Sequence, residues 1–168
     1  VIMKLHGAGG RVAGLEAAAT RDVRRSVALC EAVDAGVCRV EDMVARRVAS
    51  AGECAAVWAS REIPLLVDPD AKALTVLRPD GVVDARLAKR NLGTRPDLAR
   101  ILIGPGPGFA APADVHPVAE TLRGHDLGRA LFPRAAPPHT GVPGSTRGPS
   151  AQPRARRPFA AAARRPHR

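Results

Sequence analysis

The chain has 168 residues, 45% of them hydrophobic but only four of them aromatic (Trp58, Phe109, Phe132 and Phe159), so a domain of ordinary size must build its core from Ala, Val, Leu and Ile, and aromatic base stacking is excluded as a main activity. No apolar run approaches the roughly 20 residues of a membrane-spanning helix, and Lys4, His6 and Arg11 interrupt the stretch where a signal peptide would be apolar, so a cytoplasmic protein without membrane partners is expected. The net charge of +10 is concentrated at one end: residues 145–168 hold seven arginines and no acid, and taking those seven from +10 leaves +3 for residues 1–144.

The N-terminal stretch reads as the last turns of a helix closed by Gly7, Gly9 and Gly10, followed by a short strand over Arg11 to Glu16. Glu16 stands where a dinucleotide fold keeps its ribose-binding carboxylate, but no phosphate-cradling glycine loop precedes it, and a solvated strand-end acid is the preferred reading. Thr20 to Gly36 reads as a helix, capped by Thr20, ended by Gly36, with Val23, Val27 and Cys30 on one face. Arg24 and Arg25 fall in its first turns, where they would suit an anion or simply a solvated face. Val37 to Val40 and Val44 to Val48 are either two short strands around Glu41 and Asp42 or one helix.

The middle of the chain is clearer. Gly52 to Ser60 has helical composition, and Ile63-Pro-Leu-Leu-Val-Asp68 is a continuous apolar run of the kind buried in parallel sheets. A helix over Ala71 to Arg78 is stopped by Pro79 and Gly81, and strands follow at Val82 to Ala85 and Arg100 to Gly104. This alternation predicts an α/β domain over residues 1–144 with one mostly parallel sheet and flanking helices. The Arg, Pro and Ala-rich tail, residues 145–168, cannot bury enough surface to offset its ordering entropy and is expected to be disordered. An arginine arm on nucleic acid is the alternative for the tail, disfavoured because no folded basic face accompanies it. Cys30, Cys38 and Cys54 form no C-x-x-C pair, so they read as small buried hydrophobes in a reducing compartment and not as zinc ligands or a disulfide framework; no metal site is predicted.

Three constellations can carry chemistry. In the first, a strand ends at Asp84 and a polar segment with Lys89, Asn91, Gly93 and Thr94 follows, the place where α/β sheets form sites. The second is Gly104-Pro-Gly-Pro-Gly-Phe109, whose Gly104, Gly106 and Gly108 lack side chains, so that backbone N–H groups or a ligand can come close; a stiff turn is the competing reading. Lys89, Asn91, Thr94 and these glycines together are expected to hold a phosphate-bearing group. The third runs from Asp114 and His116 through Glu120 to His125 and Asp126. His116 and Glu120 are expected to lie close together on strand or helix, with Gly124 turning His125 and Asp126 back toward them. Such a group could shuttle protons near neutral pH or bind a divalent metal, or it could hold loops together by hydrogen bonds.

The ordered set VRRSVALCEAV (23–33), IPLLVDPD (63–70), VVDARLAKRNLGT (82–94), GPGPGF (104–109), DVHPVAETLRGHDLGR (114–129) and TGVPG (140–144) resembles the YqeB family, maturation proteins of selenium-dependent molybdenum hydroxylases. The likeness spans roughly Lys4 to Gly144. It implies a cytoplasmic accessory factor with a Rossmann-like part, a molybdenum hydroxylase as client, and a nucleotide or the molybdenum cofactor as the group handled. It also leaves an enzyme alternative, a nucleotide-dependent transferase that modifies the cofactor through the His116 and His125 region. Family members begin with a strand and a Gly-Asp-Leu-Ala-Thr-Gly type loop, which this sequence lacks before Val1, so the first strand of the nucleotide-like fold is expected to be missing and one sheet edge exposed. After Gly144 the family continues into a further folded region, whereas the tail here reads like a GC-rich gene translated out of frame.

Overall fold

The computed structural model describes residues 1–17, 28–86, 88, 90–136 and 138. The Arg24 and Arg25 pair, Lys89 and the 145–168 tail lie outside the described residues, as do the start of the Thr20 to Gly36 helix and Thr140 to Gly144.

The expected single sheet is instead two four-stranded sheets, each mostly parallel. The first is built from β1 (Gly14–Glu16), β2 (Val37–Val40), β3 (Met43–Val48) and β4 (Ile63–Val67), in the order β1-β4-β3-β2. The apolar run forms β4, which pairs in parallel with β1 on one side and β3 on the other, and Ile63 to Leu66 are all buried. That is why its sequence is continuous rather than alternating: both faces are covered. β2 and β3 form an antiparallel hairpin, with Val40 opposite Met43 and Glu41 in the left-handed region at φ +55°, which decides for two strands over one helix.

Helices cover the two faces separately. On one, Ile2 and Met3 of α1 (Ile2–Gly7) pack with Leu29 and Ala32 against Ala45, Ile63 and Leu65. On the other, Cys54 and Val57 of α3 (Cys54–Ala59) pack with Ala73 against Val48 and Leu66, and Leu77 of α4 (Leu74–Leu77) joins them. Residues on successive positions of a strand point to opposite faces, so the Leu65-Leu66 pair feeds both layers. The long helix expected up to Gly36 is not continuous: Ala28 is extended (φ −115°, ψ 128°), a 3-10 turn follows at Leu29–Glu31, and α2 is only Ala32–Ala35, ended by Gly36 at φ +79°. The 71–78 helix likewise shrinks to one turn, closed by Arg78 in the left-handed region.

The second sheet holds β5 (Gly81–Val83), β6 (Ile101–Pro105), β7 (Val118–Ala119) and β8 (Ala130–Leu131), in chain order. β5, β6 and β7 are parallel and β8 is antiparallel to β7. Its core is Leu102, Phe109, Ala111, Val115, Val118 and Ala136. No described helix is long and apolar enough to cross a membrane.

Candidate functional site

Because β5, β6 and β7 run in parallel, their carboxyl ends open onto one edge of the second sheet, and Asp84, Gly106 and Glu120 are the residues that leave there. Crevices outside such ends are where open α/β sheets place ligands. Asp84 hydrogen-bonds Ile103 through its N–H (3.0 Å), extending the β5–β6 ladder by one residue, so its buried side chain is aimed by the sheet itself.

The Asp84 carboxylate is fully engaged. Arg86 donates from Nε to Oδ1 (2.9 Å) and from Nη2 to Oδ2 (2.6 Å), and its backbone N–H reaches Oδ1 (3.2 Å). Thr94 donates its hydroxyl to Asp84 Oδ2 while accepting from Arg86 Nη2 (2.7 Å). Burial alone would raise the Asp84 pKa, but the bonds from Arg86 and Thr94 outweigh it and hold the carboxyl below its ordinary value; the same pairing raises the Arg86 guanidinium.

Asn91 continues the network. Its Oδ1 accepts from Thr94 N–H (2.7 Å), and its Nδ2 donates to Thr94 O (2.8 Å) and Asp114 Oδ1 (2.8 Å). Asp114 Oδ2 accepts from Ala110 N–H (2.8 Å), and Gly93, at φ +92°, makes the turn that lets Asn91 and Thr94 face one another. The β5–β6 and β6–β7 connections are thereby buttoned together. The structure thus joins Asp84, Asn91, Gly93 and Thr94, as the first constellation requires, and adds Arg86 and Asp114. Arg86 had a readable signal, a guanidinium two residues after a strand-end acid; Asp114 was visible, but grouped with His116 instead of Asn91.

The glycines of the second constellation serve packing. A Cβ on Gly104 would lie 2.6 Å from the Phe109 ring, and one on Gly106 (φ +81°) would lie 2.7 Å from Thr121 Oγ1. Their N–H groups are donated to Pro117 O (3.2 Å) and Ala119 O (2.8 Å). Gly108 turns the chain at φ +107° ahead of buried Phe109.

The third constellation divides. His116 precedes β7 and Glu120 follows it, and their side chains bond different backbone N–H groups. His116 is clamped to β6: its N–H donates to Leu102 O (2.9 Å) and its Nδ1 accepts from Leu102 N–H (2.9 Å). Glu120 is buried, with Oε1 accepting from Leu122 N–H (2.7 Å). Glu120, His125 and Asp126 do line one depression of about 130 Å³, together with Leu122, Arg123 and Gly124; Asp126 also pairs with Arg129 at 3.0 Å. Among the described residues no group of three or more His, Cys, Asp or Glu side chains is gathered to hold a metal ion.

Fold and site together define an α/β protein whose polar groups collect at the carboxyl ends of parallel strands. No protein-family model and no solved structure matches the chain. Over 148 residues, 88% of this chain, it is 43% identical to the protein named "Uncharacterized protein YqeB" of Escherichia coli (strain K12), and it spans 27% of that relative's length. The chain belongs to the YqeB family.

Proposed function

We propose that this chain is part of a cytoplasmic accessory factor for selenium-dependent molybdenum hydroxylases, with its first sheet a Rossmann-like unit, and that the described strand-end site works by binding rather than by chemistry on a substrate. The client class is what the resemblance of the ordered motifs to the YqeB family implies, and the similarity to YqeB over 148 residues is in keeping with it. One observation favours binding: the side chains of Asp84, Thr94, Asn91 and Asp114 are bonded to one another, to Arg86 and to the Ala110 N–H, so among the described residues of this loop the polar groups hold the loop together and none of them stands unbonded as a base or nucleophile.

The Asn91 side-chain amide, the Thr94 N–H and hydroxyl and the N–H groups of Gly104 and Gly106 are already donated within the described residues, which favours a stiff loop there over a phosphate cradle for a nucleotide or the molybdenum cofactor. What faces outward is Arg86, whose side chain is 45% exposed and whose Nη1 takes no part in the Asp84 and Thr94 bonds. A client carboxylate or a cofactor phosphate can meet that edge, with Lys89 the nearest further cation in the sequence.

Complementation tests this reading. In cells whose own copy of the gene is deleted, the full-length protein should restore activity of a selenium-dependent hydroxylase, and Arg86→Gln should restore less while client synthesis is unchanged. Full restoration by Arg86→Gln removes the site; no restoration by the unaltered protein removes the function.

The transferase alternative draws on the depression lined by Glu120, His125 and Asp126, three titratable side chains in one place. It predicts loss of maturation in His125→Gln at unchanged stability; intact maturation rejects it.

A further inference from the structure

The first sheet carries a crevice of its own. It lies outside the carboxyl ends of β3 and β4, holds about 540 Å³, and is lined by Gly36, Arg47, Val48, Ala49, Glu53 and Val67. That volume suits a small organic molecule. Its position follows from the chain path: after β3 the backbone passes to α3 on one face, while α2, which leads into β2, lies beside β3 and β4 on the other. α2 and the turn that opens α3 thus approach the ends of β3 and β4 from opposite faces, and the crevice lies between them. Gly36 and Glu53, from the two sides, mark its walls.

Arg47 supplies the chemistry. Its backbone is fixed by a bond from its N–H to Gly36 O (2.7 Å), and Nη1 donates to Val33 O (2.8 Å) at the end of α2. That is its one side-chain bond to the described residues, and among them no carboxylate pairs with it within 4.0 Å, so toward the described residues most of the five guanidinium donors stay available. The neighbouring Arg46 differs: both of its arms hold Glu62, at 2.6 and 3.1 Å. The acid of the crevice, Glu53, is already occupied by Ala49 N–H (3.2 Å) and the Ser50 hydroxyl (2.9 Å), a capping arrangement for the turn that opens α3. A guanidinium anchored by a carbonyl but unneutralised, beside apolar Val48, Ala49 and Val67, is matched by a molecule with an oxyanion at one end and an apolar body at the other.

We propose that this crevice binds a mononucleotide-sized organic oxyanion, with the oxyanion on Arg47 and the body against Val48 and Val67. The site is separate from the loop at the second sheet and does not depend on the accessory-factor reading.

The test uses the 168-residue chain and AMP as the probe, followed by amide resonances during titration to millimolar concentrations. Saturable shifts are expected at Gly36, Arg47 and Ala49, weaker binding for inorganic phosphate, and none for adenosine. Arg47→Gln should weaken AMP at least about tenfold, the size of one lost charge-assisted contact. Because that change also removes the bond to Val33, exposed Ala49 gives an independent check: Ala49→Glu should abolish binding and Ala49→Lys should tighten it. Absence of saturable shifts at these amides, adenosine binding as well as AMP, or an Arg47→Gln protein that is folded and binds AMP unchanged each overturns the proposal. Phosphate binding as tightly as AMP overturns the role of the apolar wall.

Discussion

Replacing Asp84 by Asn tests the energetic centre of the strand-end loop. The side chain keeps its size, but one carboxylate oxygen becomes an NH2 group that faces donors. Four hydrogen bonds end on Asp84, three of them from Arg86 and one from Thr94. Breaking a fully buried ion pair costs roughly 3–5 kcal/mol, but the Arg86 side chain is 45% exposed and can return to water, which reduces the expected loss to about 2 kcal/mol. Urea unfolding at neutral pH, read by the Trp58 fluorescence, measures it. The pH dependence has a definite sign. The folded Asp84 pKa lies below its unfolded value of about 3.9, so the stabilisation is complete above that value and disappears as pH falls through the folded pKa. The gap between unaltered and Asp84→Asn proteins should therefore be widest at neutral pH and close on strong acidification. A loss below about 0.5 kcal/mol at neutral pH, or a gap that does not change on acidification, refutes the account of the network as a charge-assisted buckle.

Further outcomes follow from the same packing. Gly104→Ala drives a methyl into the Phe109 ring and should cost about 1–3 kcal/mol in chemical unfolding, and Gly106→Ala should cost at least as much because a close approach to Thr121 adds to a positive φ. His116→Ala leaves the Leu102 N–H without its side-chain acceptor and should cost about 1–3 kcal/mol, whereas His116→Gln should recover part of that; equal stabilities would remove the clamp. Burial, with Glu53 beside it, pushes the Cys54 thiol up, so timed alkylation of the native protein followed by mass spectrometry should label the partly exposed Cys38 well before Cys54.

Features that depend on short-range pattern are legible in the amino-acid order alone. The apolar run at 63–67 had to be a strand covered on both faces, and the strand at 101–105 and the acid that ends β5 were readable because a sheet buries contiguous branched residues and leaves polar ones at its ends. The order of several long motifs was enough for the family. Tertiary structure decided the rest. Whether the strands make one sheet or two depends on pairings among strands distant along the chain, and no local periodicity encodes them. Gly104 and Gly106 look the same in sequence whether a ligand or a neighbour fills the missing side chain, and here Phe109 and Thr121 fill it. His116 and Glu120 share a face by spacing, yet their side chains bond different backbone N–H groups, while Asp84, Asn91 and Asp114, up to 30 positions apart in the chain, join one network through loops. Arg47 carried no signal at all, because whether a guanidinium meets an acid among the described residues is a matter of distance in space, and only the folded packing of α2 against β3 and β4 decides that.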